Sequence, residues 1–358
     1  MDTTAGGTPE AAQADRTGGP VTALPAARPA AGITDAVGIA VLVCCAVWAL
    51  VAAGGREARP EGSLLALLAV TAGYAAGRIL GALLPVLAPA AAAAAVLALI
   101  LIPPSRLSDH PGTPPLGYTN ADAALLVLAV GAACCAAWGA PGPVRRTALR
   151  LVGAGAAVTA LALGSAAGFA AGVAVTLCSL AAARWRRRAL GLAALALVAA
   201  LAVGGSYAVA VDALPSGLAQ SLTGQLTQQR VALWHEAVDL AQDHPLRGVG
   251  PERFAEESTP LPSDTPADES PQSAPLQLAA EQGVPGVALL AAAYGWVLCA
   301  LWRSPRPTAV VLTAGAALTG LALLASVDHV LSYAVVTAGA GFLAGVATAR
   351  PLADEGAG

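Results

Sequence analysis

About ten stretches of this chain run to roughly 20 residues with scarcely a charge among them, the length at which a helix matches the hydrocarbon thickness of a bilayer. No single soluble core can bury that many apolar helices, whereas a membrane accepts them because a helix satisfies its own backbone groups. The stretches lie near 34–54, 62–81, 84–103, 121–140, 147–164, 166–183, 189–211, 286–303, 307–327 and 330–349. The run from 147 to 183 is too long for one helix, and Gly164, Ser165 and Gly168 mark a reversal inside it. Composition agrees with the pattern: 56% of residues are hydrophobic and 11% charged, with a mean hydropathy of +0.68. The expected fold is therefore all-α, a polytopic transmembrane bundle of about ten spans.

Charge placement orients the bundle. All 19 basic residues are arginine, a usage typical of GC-rich genomes such as those of actinobacteria. With about ten spans both termini share one side, which then carries thirteen arginines against six opposite. The excess near helix ends predicts cytoplasmic termini and an outward-facing 212–285 segment. Trp138, Trp185 and Trp302 fall at predicted cytoplasmic ends, and Arg78 there reads as a topology anchor. The predicted organisation is a disordered cytoplasmic tail (1–32), helices 1–7 (33–211), an extracytoplasmic loop (212–285), helices 8–10 (286–349) and a short cytoplasmic tail (350–358). The first apolar run is long enough to span, so it reads as an anchor and not as a cleaved signal.

Several function classes recede at this stage. The six cysteines all sit in apolar runs, without spacing suited to metal or disulfides, and read as packing residues. No metal, cofactor or nucleic-acid partner is implied. Transporters place charges and interrupted helices near the midplane, whereas here polar residues gather in two outward segments, 104–122 and 212–285.

The longer segment holds eleven of the 22 carboxylates and two of the four histidines. Within it Val231, Trp234, Val238 and Ala241 recur at helical spacing, with His235, Glu236, Asp239 and Gln242 on another face. That pattern predicts a short helix lying on the membrane surface. It runs into His244-Pro245-Leu246-Arg247-Gly248-Val249-Gly250-Pro251, where glycines and prolines enforce turns that bring backbone amides close to a ligand.

Arg230, Trp234, Ala237, the 244–250 run and Phe254 together resemble the core signature of the O-antigen ligase and polymerase superfamily. Gln272-Ser273-Ala274-Pro275-Leu276-Gln277 and Ala280-Glu281-Gln282-Gly283-Val284-Pro285-Gly286 continue the resemblance, and Leu116 to Ala123 is similar to the family's entry to a membrane helix. The resemblance implies a metal-independent glycosyltransferase of the GT-C kind. Such an enzyme moves a glycan from a polyprenyl pyrophosphate to an acceptor hydroxyl on a glycan or lipid, at the outer face of the plasma membrane. Its implied partners are the lipid-linked oligosaccharide, the acceptor, membrane lipids and polysaccharide-assembly proteins.

Displacement at the anomeric carbon releases pyrophosphate, whose growing charge calls for fixed cations. Arginine suits this, being permanently charged and able to grip two oxygens, which points to Arg230 and Arg247, with Arg106 as a second phosphate contact. Trp234, Gly248, Gly250 and Glu281 complete the expected binding set. Gln272 stands at the place of the family's catalytic histidine, and Ser165 to Gly168 lacks the arginine of the family's Ser-Arg-Gly element. The acceptor site then rests on Gln272 with Asp268 or Glu269 as base, and His235 and His244 as the other candidates. A relative that binds glycan without transferring it remains open as the alternative, with a flippase third.

Plainer readings stand beside these. Arg230 can snorkel to headgroups, Trp234 can anchor at the interface, Arg247 and Arg253 can merely offset Glu252, Glu256 and Glu257 in solvent, and Asn120 can cap the helix starting at Ala121. Asp328 and His329, between the last two spans, read as a solvated turn, with a catalytic His/Asp pair as the sharper option.

Overall fold

The computed structural model describes residues 30–102, 118–184, 187–213, 228–258 and 270–350. Each apolar stretch forms a helix: α1 (Ala30–Ala53), α2 (Glu61–Leu83), α3 (Leu87–Leu101), α4 (Thr119–Gly139), α5 (Pro143–Ala162), α6 (Ala166–Ala182) and α7 (Arg188–Ala210). Then come two helices of the polar segment, α8 (Gln228–Asp243) and α9 (Phe254–Glu257), followed by α10 (Ala274–Trp302), α11 (Thr308–Val327) and α12 (Ala334–Thr348). A 3-10 turn at Val330–Ser332 joins the last two.

The reversal inside the long apolar run has a local cause. Gly164 takes φ +86°, and Ser165 caps α6 by accepting from the Gly168 amide at 3.1 Å. Among the described residues six helices, α1, α2, α4, α7, α10 and α11, are long and apolar enough to cross a membrane, and α3, α6 and α12 are shorter apolar helices. Large aliphatic side chains face outward along them: Ile39, Leu68, Ile79, Leu87, Leu151 and Leu201 are each more than half exposed. A surface of that kind belongs in lipid, and the molecule is a membrane protein.

Side-chain registers fix the helix directions. Thr34 and Trp48 of α1 meet Trp296 and Gln282 of α10, so these helices run antiparallel. Gly73, Gly77 and Gly81 of α2 abut Ala338, Phe342 and Val346 of α12, so that pair runs parallel. Helix α4 runs with α6, from Ala123 against Gly168 to Trp138 bonded to Ser179, and against α11, where Cys135 meets Val310 and Val127 meets Gly320. Strict up-and-down alternation of the apolar helices gives each of these directions.

Helix α4 is the axis of the bundle, with 94% of its apolar window buried. The closest packing lies elsewhere, between α2 and α12. A Cβ added at Gly77 would stand 2.2 Å from the Phe342 carbonyl oxygen, and one at Gly341 would stand 2.2 Å from that of Val70. Backbone lies on backbone there, the small-residue packing that joins helices in lipid.

The bundle's two ends differ chemically. At one, Arg306 donates to the carbonyls of Ala349 (2.9 Å) and Gly81 (2.5 Å), Arg188 to Ser304 (2.7 Å), and Arg78 pairs with Asp35 at 3.1 Å. Trp138 is engaged inside the protein by Ser179 at 2.9 Å, while Trp302 remains 52% exposed. The other end carries the polar segment. Helix α10 begins at Ala274, ahead of the span expected from 286, with non-helical geometry at Gly283 separating its first part from the rest.

Candidate functional site

Helix α8 does not lie free on a surface. Its apolar face, Leu233, Trp234, Ala237 and Val238, joins Ala210, Phe254, Leu276 and Ala280 in a small core that binds it to α7, α9 and α10. Trp234 is 1% exposed and its indole N–H donates to the Pro271 carbonyl at 2.7 Å. It therefore packs and anchors the segment before α10, and offers no face to a sugar or to lipid headgroups.

Arg230 lies one turn before Trp234 on the same face of α8. Its Nε and Nη2 both donate to Gln272 Oε1, at 3.0 and 2.6 Å. These two residues stand 42 positions apart in the sequence, and the fold brings them into contact. Gln272 sits at φ +47°, a left-handed conformation costing a residue other than glycine about 1–2 kcal/mol. The Trp234 bond on one side and the Arg230 fork on the other hold it there. Ser273 beside it is fully buried, with its hydroxyl unpartnered.

The glycine-rich turn and the α10 break are halves of one joint. Gly283 adopts φ 69° and ψ −169°, a region essentially confined to glycine, and Pro285 has no N–H to give the Glu281 carbonyl. The carbonyls freed by the break are taken up by donors from elsewhere. Val249 N–H reaches Ala280 O at 2.8 Å, Gly250 N–H reaches Glu281 O at 2.9 Å, and the Trp48 indole reaches Gln282 O at 3.0 Å. Gly248, at φ +58°, lies so close that a Cβ would stand 2.3 Å from the Glu281 carbonyl carbon. Gly248 and Gly250, expected to present amides to a ligand, thus donate within the fold, to His244 O and Glu281 O.

Arg247 and Glu281 also serve this joint. Arg247 Nη2 donates to the carbonyls of Val51 and Gly54, capping the end of α1, and Arg56 returns a bond to Gly248 O at 2.6 Å. The described geometry commits the Arg247 guanidinium to a helix C-terminus, a favourable place for a cation. Glu281, 5% exposed, accepts from Gln277 at 3.1 Å. Arg253 pairs with Glu256 and Glu257, as its plainer reading expected. His235 bridges Val231 O at 2.8 Å and Asp212 at 3.1 Å, and His244 is exposed at the end of α8. Arg106, Asp268 and Glu269 lie outside the described residues.

A second cluster gathers beside the first. The solvated turn expected at 328–329 is instead buried: Asp328 is 4% exposed. Tyr118, just ahead of α4, donates to the Asp328 carboxylate at 2.9 Å, the Asn120 amide donates to the same group, and the His329 amide reaches it at 2.7 Å. Asn120 is therefore no cap; it lies within α4, whose N-cap is Tyr118. The Tyr118 ring lies 4.7 Å from the His329 imidazole and stacks on Tyr333 at 5.7 Å. Burial, then the Asp328 carboxylate, push the Tyr118 phenol well above its ordinary range, while the Asn120 bond and the Arg230 charge pull the other way. Tyr118 thus stays a neutral donor, and Arg230 lies near enough to act on it electrostatically. The sequence shows the cluster's two halves separately, as the 116–123 segment and as an Asp-His step between two apolar helices, and nothing in it joins them.

These groups make one polar patch at the end of the bundle that carries α8 and α9: a guanidinium on a rigid helix, a strained amide, and an imidazole beside a buried carboxylate. That set can bind a phosphate and orient a hydroxyl. Residues 151–291, spanning α5 to the early part of α10, match the family model for O-antigen ligase. No curated protein matches the chain.

Proposed function

We propose, from the premise that the matched segment makes this chain a member of the O-antigen ligase superfamily, that it transfers a glycan from polyprenyl pyrophosphate to an acceptor hydroxyl at the outer face of the plasma membrane. On this reading the apolar helices form about ten spans, the arginine-rich end faces the cytoplasm, and the end bearing α8 and α9 faces outward. The observation that carries the reading is the Arg230 fork, aimed by the buried Trp234 turn at the segment 271–272.

The chemistry follows from that geometry. Gln272 Oε1 occupies the point on which two Arg230 N–H groups converge, and a pyrophosphate oxygen there would receive both bonds. Fixed N–H donors on a charged group stabilise the leaving pyrophosphate as its charge grows, with no reorganisation at the moment of reaction. Gln272, released from Arg230, would orient the acceptor hydroxyl through its amide. Arg247 contributes by holding the 244–250 turn in place.

Purified protein in lipid nanodiscs, given a polyprenyl-pyrophosphate oligosaccharide and a glycan acceptor, tests the reading. Arg230→Ala should lower transfer on the order of 10²–10³-fold, the usual cost of removing one donor to developing charge. Transfer that survives this change at the wild-type rate would refute it. The second reading, a glycan-binding scaffold, draws on the replacement of the family's histidine by Gln272. Tight donor binding without any transfer, and transfer gained in Gln272→His, would favour it.

A further inference from the structure

The transfer reading needs a proton acceptor, which an amide at position 272 cannot provide. Among the described histidines, His235 bridges Val231 O and Asp212, about 140° round α8 from Arg230. His244 stands fourteen residues along α8 from Arg230, about 20 Å at the helical rise. His329 is different: it sits beside Tyr118, within the electrostatic reach of Arg230.

We propose that His329 is the base that takes the acceptor's proton, with Asp328 as its positioning residue, in a site assembled from the α11–α12 junction and the start of α4. This rests on the transfer reading. It places the base outside the segment 151–291 that matches the ligase family.

Three observations carry it. The junction adjoins the Arg230 helix, because Val327 packs on the Trp234 cluster and the Tyr118 hydroxyl feels the Arg230 charge. The imidazole is fixed between rings, with Tyr118 at 4.7 Å and Tyr333 at 5.9 Å. Asp328 is in turn held by Tyr118, Asn120 and the His329 amide. Lastly, Asp328 Oδ1 lies 3.4 Å from His329 Nδ1, where its charge stabilises the imidazolium that proton transfer creates. The His329 side chain retains 12% exposure against 5% for Asp328, so the carboxylate is sealed while the ring keeps an edge toward the outside.

A purely structural junction would also bury side chains. It would not call for a carboxylate, which is costly to desolvate and repays that cost only when fully bonded. In the step itself, the acceptor O–H bond breaks and its proton passes to His329 Nε2, while an oxygen electron pair forms the new bond to the anomeric carbon. The bond from that carbon to the pyrophosphate oxygen breaks, and its electrons leave with the pyrophosphate beside Arg230. Atoms and charge balance without any further reactant.

The test uses full-length protein in nanodiscs, with initial transfer rates measured and donor affinity measured separately by titration with the polyprenyl-pyrophosphate oligosaccharide. Among the described residues, Asp328, Tyr118 and Tyr333 lie against His329, and Arg230 acts through Tyr118. His329→Gln should lower kcat on the order of 10²–10⁴-fold and keep donor affinity within about twofold. Asp328→Asn removes the charge that stabilises the imidazolium, so it should lower kcat while leaving donor affinity unchanged, with part of the rate remaining. Wild-type transfer with His329→Gln equally fast, or Asp328→Asn equally fast, overturns the assignment and leaves the transfer reading standing. Donor affinity lost together with rate in His329→Gln overturns it in favour of a structural role. A wild type that binds donor and never transfers overturns the transfer reading, and the base with it.

Discussion

Gly283→Ala is the sharpest probe of the joint between the 244–250 turn and α10. Alanine at φ 69° and ψ −169° costs about 1–3 kcal/mol in backbone strain alone. Its Cβ would also stand 2.6 Å from the Pro245 carbonyl oxygen and 2.8 Å from the Leu246 carbonyl. These are backbone atoms that cannot rotate away, so overpacking adds about 1–3 kcal/mol. Relief by moving the turn would break the bonds from Val249 to Ala280, Gly250 to Glu281 and Val284 to Pro245, each worth about 0.5–1.5 kcal/mol. Both routes converge on a loss of about 2–5 kcal/mol, or a fall in melting temperature of roughly 3–7 °C for a chain of this length. The assay is thermal unfolding in detergent, read beside hydrogen exchange at residues 244–254, which should lose protection. Gly295 on the same helix has nothing within 4 Å of an added Cβ, so Gly295→Ala should be neutral or stabilise by up to about 1 kcal/mol. Equal melting temperatures for the two variants, with 244–254 still protected, would refute the account of the joint.

Trp234→Ala empties the centre of the small core and should cost about 3–5 kcal/mol, measured as a lowered melting temperature. Trp234→Phe should keep most of that stability and lose about 1 kcal/mol with the bond to Pro271. Arg306→Ala removes donors from Gly81 and Ala349 at the arginine-rich end. It should destabilise by about 2–4 kcal/mol while leaving donor affinity unchanged in the same binding titration. For sidedness, Ser258→Cys should react with a membrane-impermeant maleimide in intact cells, and Thr147→Cys only after the cells are opened; the reverse pattern would invert the topology.

The helices were legible because lipid imposes one strong rule, a long apolar run for each crossing, and even the reversal at 164–168 announced itself through glycine and serine. Arg230 and Gln272 could be named from motif spacing, but not their contact. That contact depends on Trp234 burying one face of α8 and so aiming the neighbouring turn. The sequence offers Arg247 as a cation in a glycine turn; its commitment to α1 is invisible because the two carbonyls it caps lie nearly 200 residues earlier. Asp328 and His329 were misjudged for a related reason. Two polar residues between apolar helices look like a wet corner until Tyr118 and Asn120, brought over by the packing of α4, close above the carboxylate.

The backbone-on-backbone seam between α2 and α12 also bears on how the chain comes to be made. Roughly 260 residues separate the two helices, and a ribosome adds about 5–20 residues each second. The second helix therefore waits on the order of 10–50 s in the bilayer before its partner is synthesised. During that interval its glycine stripe has only lipid or a translocation factor to lie against. The seam thus closes only once α12 is made, and a chain released before then would carry a ready-made adhesive face into the membrane.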